Sequence, residues 1–215
     1  MKRKLSEIEK MLLLSTAFTL VLTGTRYLVT NENVYLFYPW NLFLAMVPLF
    51  FSRQLKQHKK FNFKAAVVLA CWLLFFPNAP YLLTDLLHYQ ERPPVPYWFD
   101  LLIAASGAWN GVALGFVSLM QVECFLGRHL KIKWRNPATV ALIVLCSYGI
   151  FLGRFLRFNS WDILTNPGGL IHVTISHFFQ PWQHQQFWVF TFSLAAFLCI
   201  VYFTIKKLPG MVKSS

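Results

Sequence analysis

Six long apolar stretches run through this 215-residue chain, and sixteen of its twenty Lys and Arg residues fall in every second gap between them. Each stretch approaches the roughly 20 residues that a helix needs to cross about 30 Å of hydrocarbon. Helix is the expected form, because backbone groups in lipid must find their partners within the segment. The spans are read at about 11–28, 34–51, 65–83, 98–122, 137–156 and 187–205. The basic residues are Lys2, Arg3, Lys4 and Lys10, then Arg53, Lys56, Lys59, Lys60 and Lys64, then Arg128, Lys131, Lys133 and Arg135, and last Lys206, Lys207 and Lys213. Positive charge collects on the cytoplasmic side of membrane proteins. Both termini are therefore expected inside, and six crossings satisfy that parity. The expected fold class is all-α, a polytopic transmembrane helix bundle in a single domain over residues 1–215. The first span has the basic start and apolar core of a secretory signal, with the small run Thr23-Gly24-Thr25 after it. An uncleaved anchor is the simpler reading, since cleavage would leave five spans.

Composition agrees with this. The chain is 56% hydrophobic and 13% charged, where a soluble domain carries about 25% charged residues. A water-soluble fold of this size could not hide that surface, so the lipid bilayer is the first partner. The net charge of +12 does not point to nucleic acid, because the basic residues flank apolar spans instead of forming a polar stripe. Cys71, Cys124, Cys146 and Cys199 are isolated in or beside apolar spans. They read as small core residues, with no zinc or redox spacing and no cofactor implied.

The polar residues that topology leaves over gather on the opposite side. Arg26, Arg92, Arg154 and Arg157 escape the inward bias, and Glu32, Asp85, Glu91, Asp100 and Asp162 join them. Asn41, Asn78 and Asn110 lie deeper. Polar side chains at membrane depth are expensive and usually face the bundle interior. In the third span Pro77 and Pro80 remove backbone donors and free the carbonyls of Leu73 and Phe76, so a kink or break is expected. If helical geometry resumes, Asn78, Tyr81, Asp85 and His88 form one polar stripe. That stripe reads as a cavity wall, or as a kinked helix whose Asn caps its own break. In the fifth span Arg154 and Arg157 lie one turn apart. They suit a phosphate or carboxylate bidentately, or an ion pair with Asp85, Asp100 or Asp162, or snorkelling to headgroups.

Asn166-Pro167 is a helix start. Over about 167–182 an amphipathic helix is expected on the outer membrane surface, or as a lid over the bundle mouth. Ile171, Ile175, Phe178, Phe179 and Trp182 take one face, and His172, Ser176, Gln180 and Gln183 another. Gly107, Gly111 and Gly115, with Gly149 and Gly153, recur every four residues and let helices approach closely. They read as a dimer face or as intramolecular packing between the fourth and fifth spans. Asp85, His88 and Asp162 are the candidate acid and base groups. Asn78, Tyr81, Arg154, Arg157 and Asn159 are the candidate binding groups. His88, His172 and His177 do not make a metal motif, and they read as interfacial histidines exposed to water.

The phrases Pro77-Asn78-Ala79-Pro80-Tyr81, then Thr84-Asp85-Leu86-Leu87-His88, and Gly153-Arg154-Phe155-Leu156-Arg157-Phe158-Asn159-Ser160-Trp161-Asp162 resemble a bacterial multi-pass membrane protein family known as domain of unknown function 1361. The resemblance runs from the second span to the end and implies a plasma (inner) membrane protein, but no activity. The residues themselves suggest two functions. One is an outward-facing polar pocket that binds or processes an anionic envelope molecule such as a lipid headgroup. The other is a structural or assembly protein whose polar groups lock helices together. A small-solute transporter is a weaker third reading, because mid-depth acidic residues are lacking.

Overall fold

In the computed structural model, residues 7–90 and 92–212 are described, together with their side chains except those of His88 and residues 209–212. Lys2, Arg3, Lys4, Glu91 and Lys213 lie outside the described residues, as does the His88 side chain. Among the described residues every regular element is helical. Six segments are long and apolar enough to cross a membrane: Glu7–Thr30, Asn33–Gln57, Phe63–Leu87, Tyr97–Leu126, Ile132–Phe155 and Pro181–Leu208. The chain divides into two compact units, the first ending at Phe125 and the second beginning at Leu126.

The first unit contains α1 (Glu7–Thr30), α2 (Phe37–Gln57), α3 (Phe63–Phe75), α4 (Asn78–Tyr81) and α5 (Tyr97–Leu126). Helix α5 is its centre: 61% of its apolar window is buried, against 33% for α1 and 28% for α2. Its glycines explain why. A Cβ at Gly107 would be driven into the Tyr38 ring, and one at Gly111 into the Ala79 carbonyl. A Cβ at Gly115 would sit 3.2 Å from the Pro80 ring. The repeat is thus an intramolecular groove that receives α2 and α4. Gly111 faces backbone of the proline-broken third span, Gly107 the Tyr38 side chain of α2 and Gly115 the Pro80 side chain, so the close approach is intramolecular.

Asn62 caps α3 by accepting from the Ala65 N–H at 2.9 Å. The break after α3 falls where the prolines predict. Asn78 Nδ2 donates to the Phe75 carbonyl at 3.0 Å, and the Ala79 N–H donates to the Phe76 carbonyl that Pro80 leaves open, at 3.2 Å. Beyond α4 the chain tightens into a 3₁₀ segment, Leu82–His88. Three residues per turn replace 3.6 there. Positions 82, 85 and 88 then share one edge and positions 81, 84 and 87 another, so the single stripe expected from Asn78 to His88 is divided.

The second unit contains α6 (Ile132–Phe155), the single turn α7 (Asp162–Thr165), α8 (Pro167–Phe179) and α9 (Gln185–Val212). Helices α6 and α9 pack along each other, with Phe151 against Phe187 at 5.0 Å and Phe155 against Phe190 at 5.0 Å between ring centres. Asn166 caps α8 as expected, accepting from the Gly169 N–H at 3.1 Å, with Pro167 in the first turn. The apolar face of α8 is exposed. Ile171, Ile175, Phe178, Phe179 and Trp182 are exposed, while His177 is buried. Tyr148 of α6 donates to Thr174 at 2.9 Å, so the edge of α8 seated on protein carries Val173, Thr174 and His177, while His172 and Gln180 are exposed.

Candidate functional site

The first unit keeps its polar groups to itself. Helix α1 carries Thr16, Thr19, Thr23 and Arg26 at spacings of three, four and three, and all four are buried. Asn110 of α5 donates to the Thr19 hydroxyl at 2.9 Å and to the Ser15 carbonyl at 3.1 Å. Thr19 donates to Ser106 at 2.9 Å. One helical step further, the Arg26 Nε donates to the Asp100 carboxylate at 2.9 Å, with both side chains 1% exposed. The Arg26 Nη2 reaches Glu32 at 3.1 Å, and Nη1 donates to Thr30. Sequence reasoning placed Arg26, Glu32 and Asp100 at one level but missed this pairing. The period of hydroxyls leading to Arg26 was the signal that could have found it. At the other end of α1, Glu9 meets Arg53 of α2 at 2.8 Å beside a cavity of about 220 Å³. Lys10, Arg53, Lys56, Lys59, Lys60 and Lys64 therefore belong to one end of this unit, and Arg26, Glu32 and Asp100 to the other.

Within this unit Asn78 is engaged with its own helix break. Tyr81 accepts from the Thr84 hydroxyl through its carbonyl at 2.6 Å. Asp85 is half-buried in the 3₁₀ segment. These three belong to the first unit, and Arg154, Arg157, Asn159 and Asp162 to the second.

In the second unit the loop after α6 sets the site. Arg157 is exposed and holds φ 59°, the left-handed region that favours glycine. That conformation folds the chain back so that the Phe158 N–H donates to the Leu152 carbonyl at 3.1 Å. Asp162 is committed to its own turn. Its carboxylate accepts from the Asn159 N–H at 2.6 Å and from the Thr165 hydroxyl at 2.8 Å. Those bonds, the Asn159 backbone first, hold its carboxyl below the usual aspartate range. It stays ionised at neutral pH and is a poor proton donor. Among the described residues Arg157 has no ion pair with Asp162 or any other carboxylate, and Asp100 is held by Arg26.

A cavity of about 550 Å³ opens beside this loop, within the size range of small-molecule sites. Leu156, the neighbour of Arg157, lines it with Phe151, Phe187 and Trp182. His177 is 4% exposed. Its ring stacks on Phe187 at 4.2 Å and meets His184 edge-on at 4.7 Å. Burial, aided by the charge of His184, pushes its pKa below the ordinary histidine value. The expectation of water-exposed histidines thus holds for His172 but not for His177. Sequence reasoning did not single out His184, Gln185 or Gln186, because they fall outside the helical period of α8.

Residues 40–201 match the family described as Protein of unknown function (DUF1361). Comparison with curated proteins and with solved structures gave no match. The chain belongs to the DUF1361 family, and its six apolar spans make it an integral membrane protein.

Proposed function

We propose that this DUF1361 protein binds the headgroup of an anionic amphiphile at the outer face of a bacterial plasma membrane. Its single membrane domain over residues 1–215 would have both termini in the cytoplasm, following the bias of Lys and Arg. The observation that carries the reading is Arg157: an exposed guanidinium on a left-handed turn, without a carboxylate among the described residues, next to a residue that lines the large cavity. A bulky side chain in that conformation is disfavoured by about 1–2 kcal/mol, so its charge is a reason for it to stand there. Arg154 and Asn159 would add cationic and polar groups near Arg157 in sequence. Helix α8 would lie in the interface with Ile171, Ile175 and Phe178 toward lipid.

Asp85, His88 and Asp162 remain the candidates for acid and base work if the bound molecule is also processed. A structural role is favoured by a separate observation, the buried Arg26–Asp100 pair, and it is assigned to the first unit. Gentle extraction followed by native mass spectrometry tests the binding reading. Wild-type protein should retain anionic phospholipid, and Arg157→Gly should lose most of it while remaining folded. Equal retention by both proteins would defeat the reading.

A further inference from the structure

The cavity beside Arg157 carries a second kind of chemistry. Among the described residues no Asp, Glu, Lys or Arg lines it. Its polar lining is Ser176, His177, Gln183, His184, Gln185 and Gln186. The His177 Nδ1 is buried with no hydrogen-bond partner. A buried polar atom left unpaired is costly and calls for a partner. Ser176 donates its proton to the Val173 carbonyl at 2.8 Å, which leaves its oxygen lone pairs open. Each glutamine brings two donors and one acceptor oxygen. The floor is aromatic, with Phe187 fixing the His177 ring from behind. Trp182, 84% exposed, offers a flat apolar face at the rim.

Resting on the anionic-headgroup reading of Arg157, we infer that this cavity receives the hydroxyl-bearing part of a phospholipid headgroup, a glycerol or a ring polyol, while Arg157 meets its phosphate. Donors and acceptors decide what fits. A neutral imidazole presents one donor and one acceptor, and which nitrogen has which role depends on its surroundings. A hydroxyl is both donor and acceptor and satisfies either tautomer. An ammonium can only donate and a carboxylate can only accept, and neither finds an opposite charge in this lining to offset its desolvation. Amide groups beside an aromatic face suit the alternating hydroxyl and C–H surfaces of a polyol. Burial keeps His177 in the neutral state this requires.

The test is lipid retention from bilayers holding equal amounts of phosphatidylglycerol and phosphatidic acid, read by native mass spectrometry. Both lipids carry the phosphate, and only the first carries free headgroup hydroxyls. Wild-type protein should favour phosphatidylglycerol by about tenfold, the effect of one well-made polar contact. His177→Phe keeps the ring and its stacking and should abolish the preference while total anionic lipid stays bound. Gln183→Ala with Gln186→Ala removes exposed groups that the fold does not need, and should weaken the preference without unfolding. A parallel arm with phosphatidylinositol distinguishes ring polyol from glycerol, and excess retention of either supports the inference. A wild-type protein indifferent to headgroup hydroxyls, or a preference that survives both sets of substitutions, overturns it. Loss of all anionic lipid in Arg157→Gly with loss of preference only in His177→Phe separates the two proposals. If anionic lipid is never retained, it is the broader reading that fails.

Discussion

The two units place their polar groups differently. In the first, Asn110, Thr19, Arg26 and Asp100 bond to neighbouring helices and leave water altogether, although Arg26 Nη2 and Asp100 Oδ2 are themselves buried without a hydrogen-bond partner. In the second, Arg157 stands exposed and the His177 Nδ1 is buried without a partner. A polar group buried in a membrane protein is either satisfied at home or held for something else. Under the proposed binding reading, the buried ion pair gives the first unit its lock and the cavity of the second unit gives the ligand its place.

The sharpest way to break that comparison is at the buried ion pair. Asp100→Leu leaves the Arg26 guanidinium charged and deprived of its main partner, and should cost about 3–5 kcal/mol. Arg26→Met should do the same, and the double substitution should recover much of the loss, because the pair is then replaced by apolar packing. Unfolding of the purified protein in detergent reads all three. A first unit indifferent to Asp100→Leu would mean that the pair is not a lock. Next in size is Gly111→Ala, whose new methyl meets the Ala79 carbonyl backbone. It should destabilise by about 1–3 kcal/mol. Gly115→Ala should be milder, since its neighbour is the Pro80 ring at 3.2 Å. A thermal melt that ranks the two glycines the other way would contradict the packing described.

In the second unit the expected effects on stability are smaller and partly of opposite sign. Arg157→Gly relieves a left-handed residue and should leave stability unchanged or raise it by up to about 1 kcal/mol. The pH dependence of α8 is set by His177. Its pKa in the folded chain lies below the ordinary value of 6.5. As pH falls past 6.5 the unfolded segment takes up a proton that the folded one refuses, so stability is full above that value and declines below it. The His184 ring, edge-on to it, pushes in the same direction. Protection against hydrogen exchange across residues 167–179 should therefore fall between pH 7.5 and 5.5, and His177→Phe should flatten the response. Protection that stays constant across this range in the wild type would show that His177 is not held neutral.

Much of this organisation is legible in the residues. Hydropathy and the distribution of Lys and Arg mark six spans because lipid imposes length and composition on any crossing helix. Pro77 and Pro80 announce the break in the third, and Asn166-Pro167 the start of α8. What escaped depended on tertiary surroundings. The glycine repeat says that something approaches closely but not which helix, and α4 reaches it only because the break redirects the chain. The polar stripe from Asn78 to His88 divides because α-helix gives way to 3₁₀, a choice of hydrogen bonding that spacing does not reveal. Thr16, Thr19 and Thr23 are hidden in an apolar span, and their order emerges only beside Asn110 and Ser106. His177 escapes because it is buried by stacking on Phe187 and facing His184, contacts from outside α8 that its own spacing does not show.

The division of labour is tested most directly by the shift in melting temperature that phosphatidylglycerol produces in wild-type and Arg157→Gly protein. The account predicts that lipid-free melting is the same or slightly higher in the variant, while the stabilisation by added lipid, a linkage effect of binding to the folded state, is largely lost. An unchanged lipid shift in Arg157→Gly, or a lipid-free melting point lowered as far as that of Arg26→Met, would contradict it.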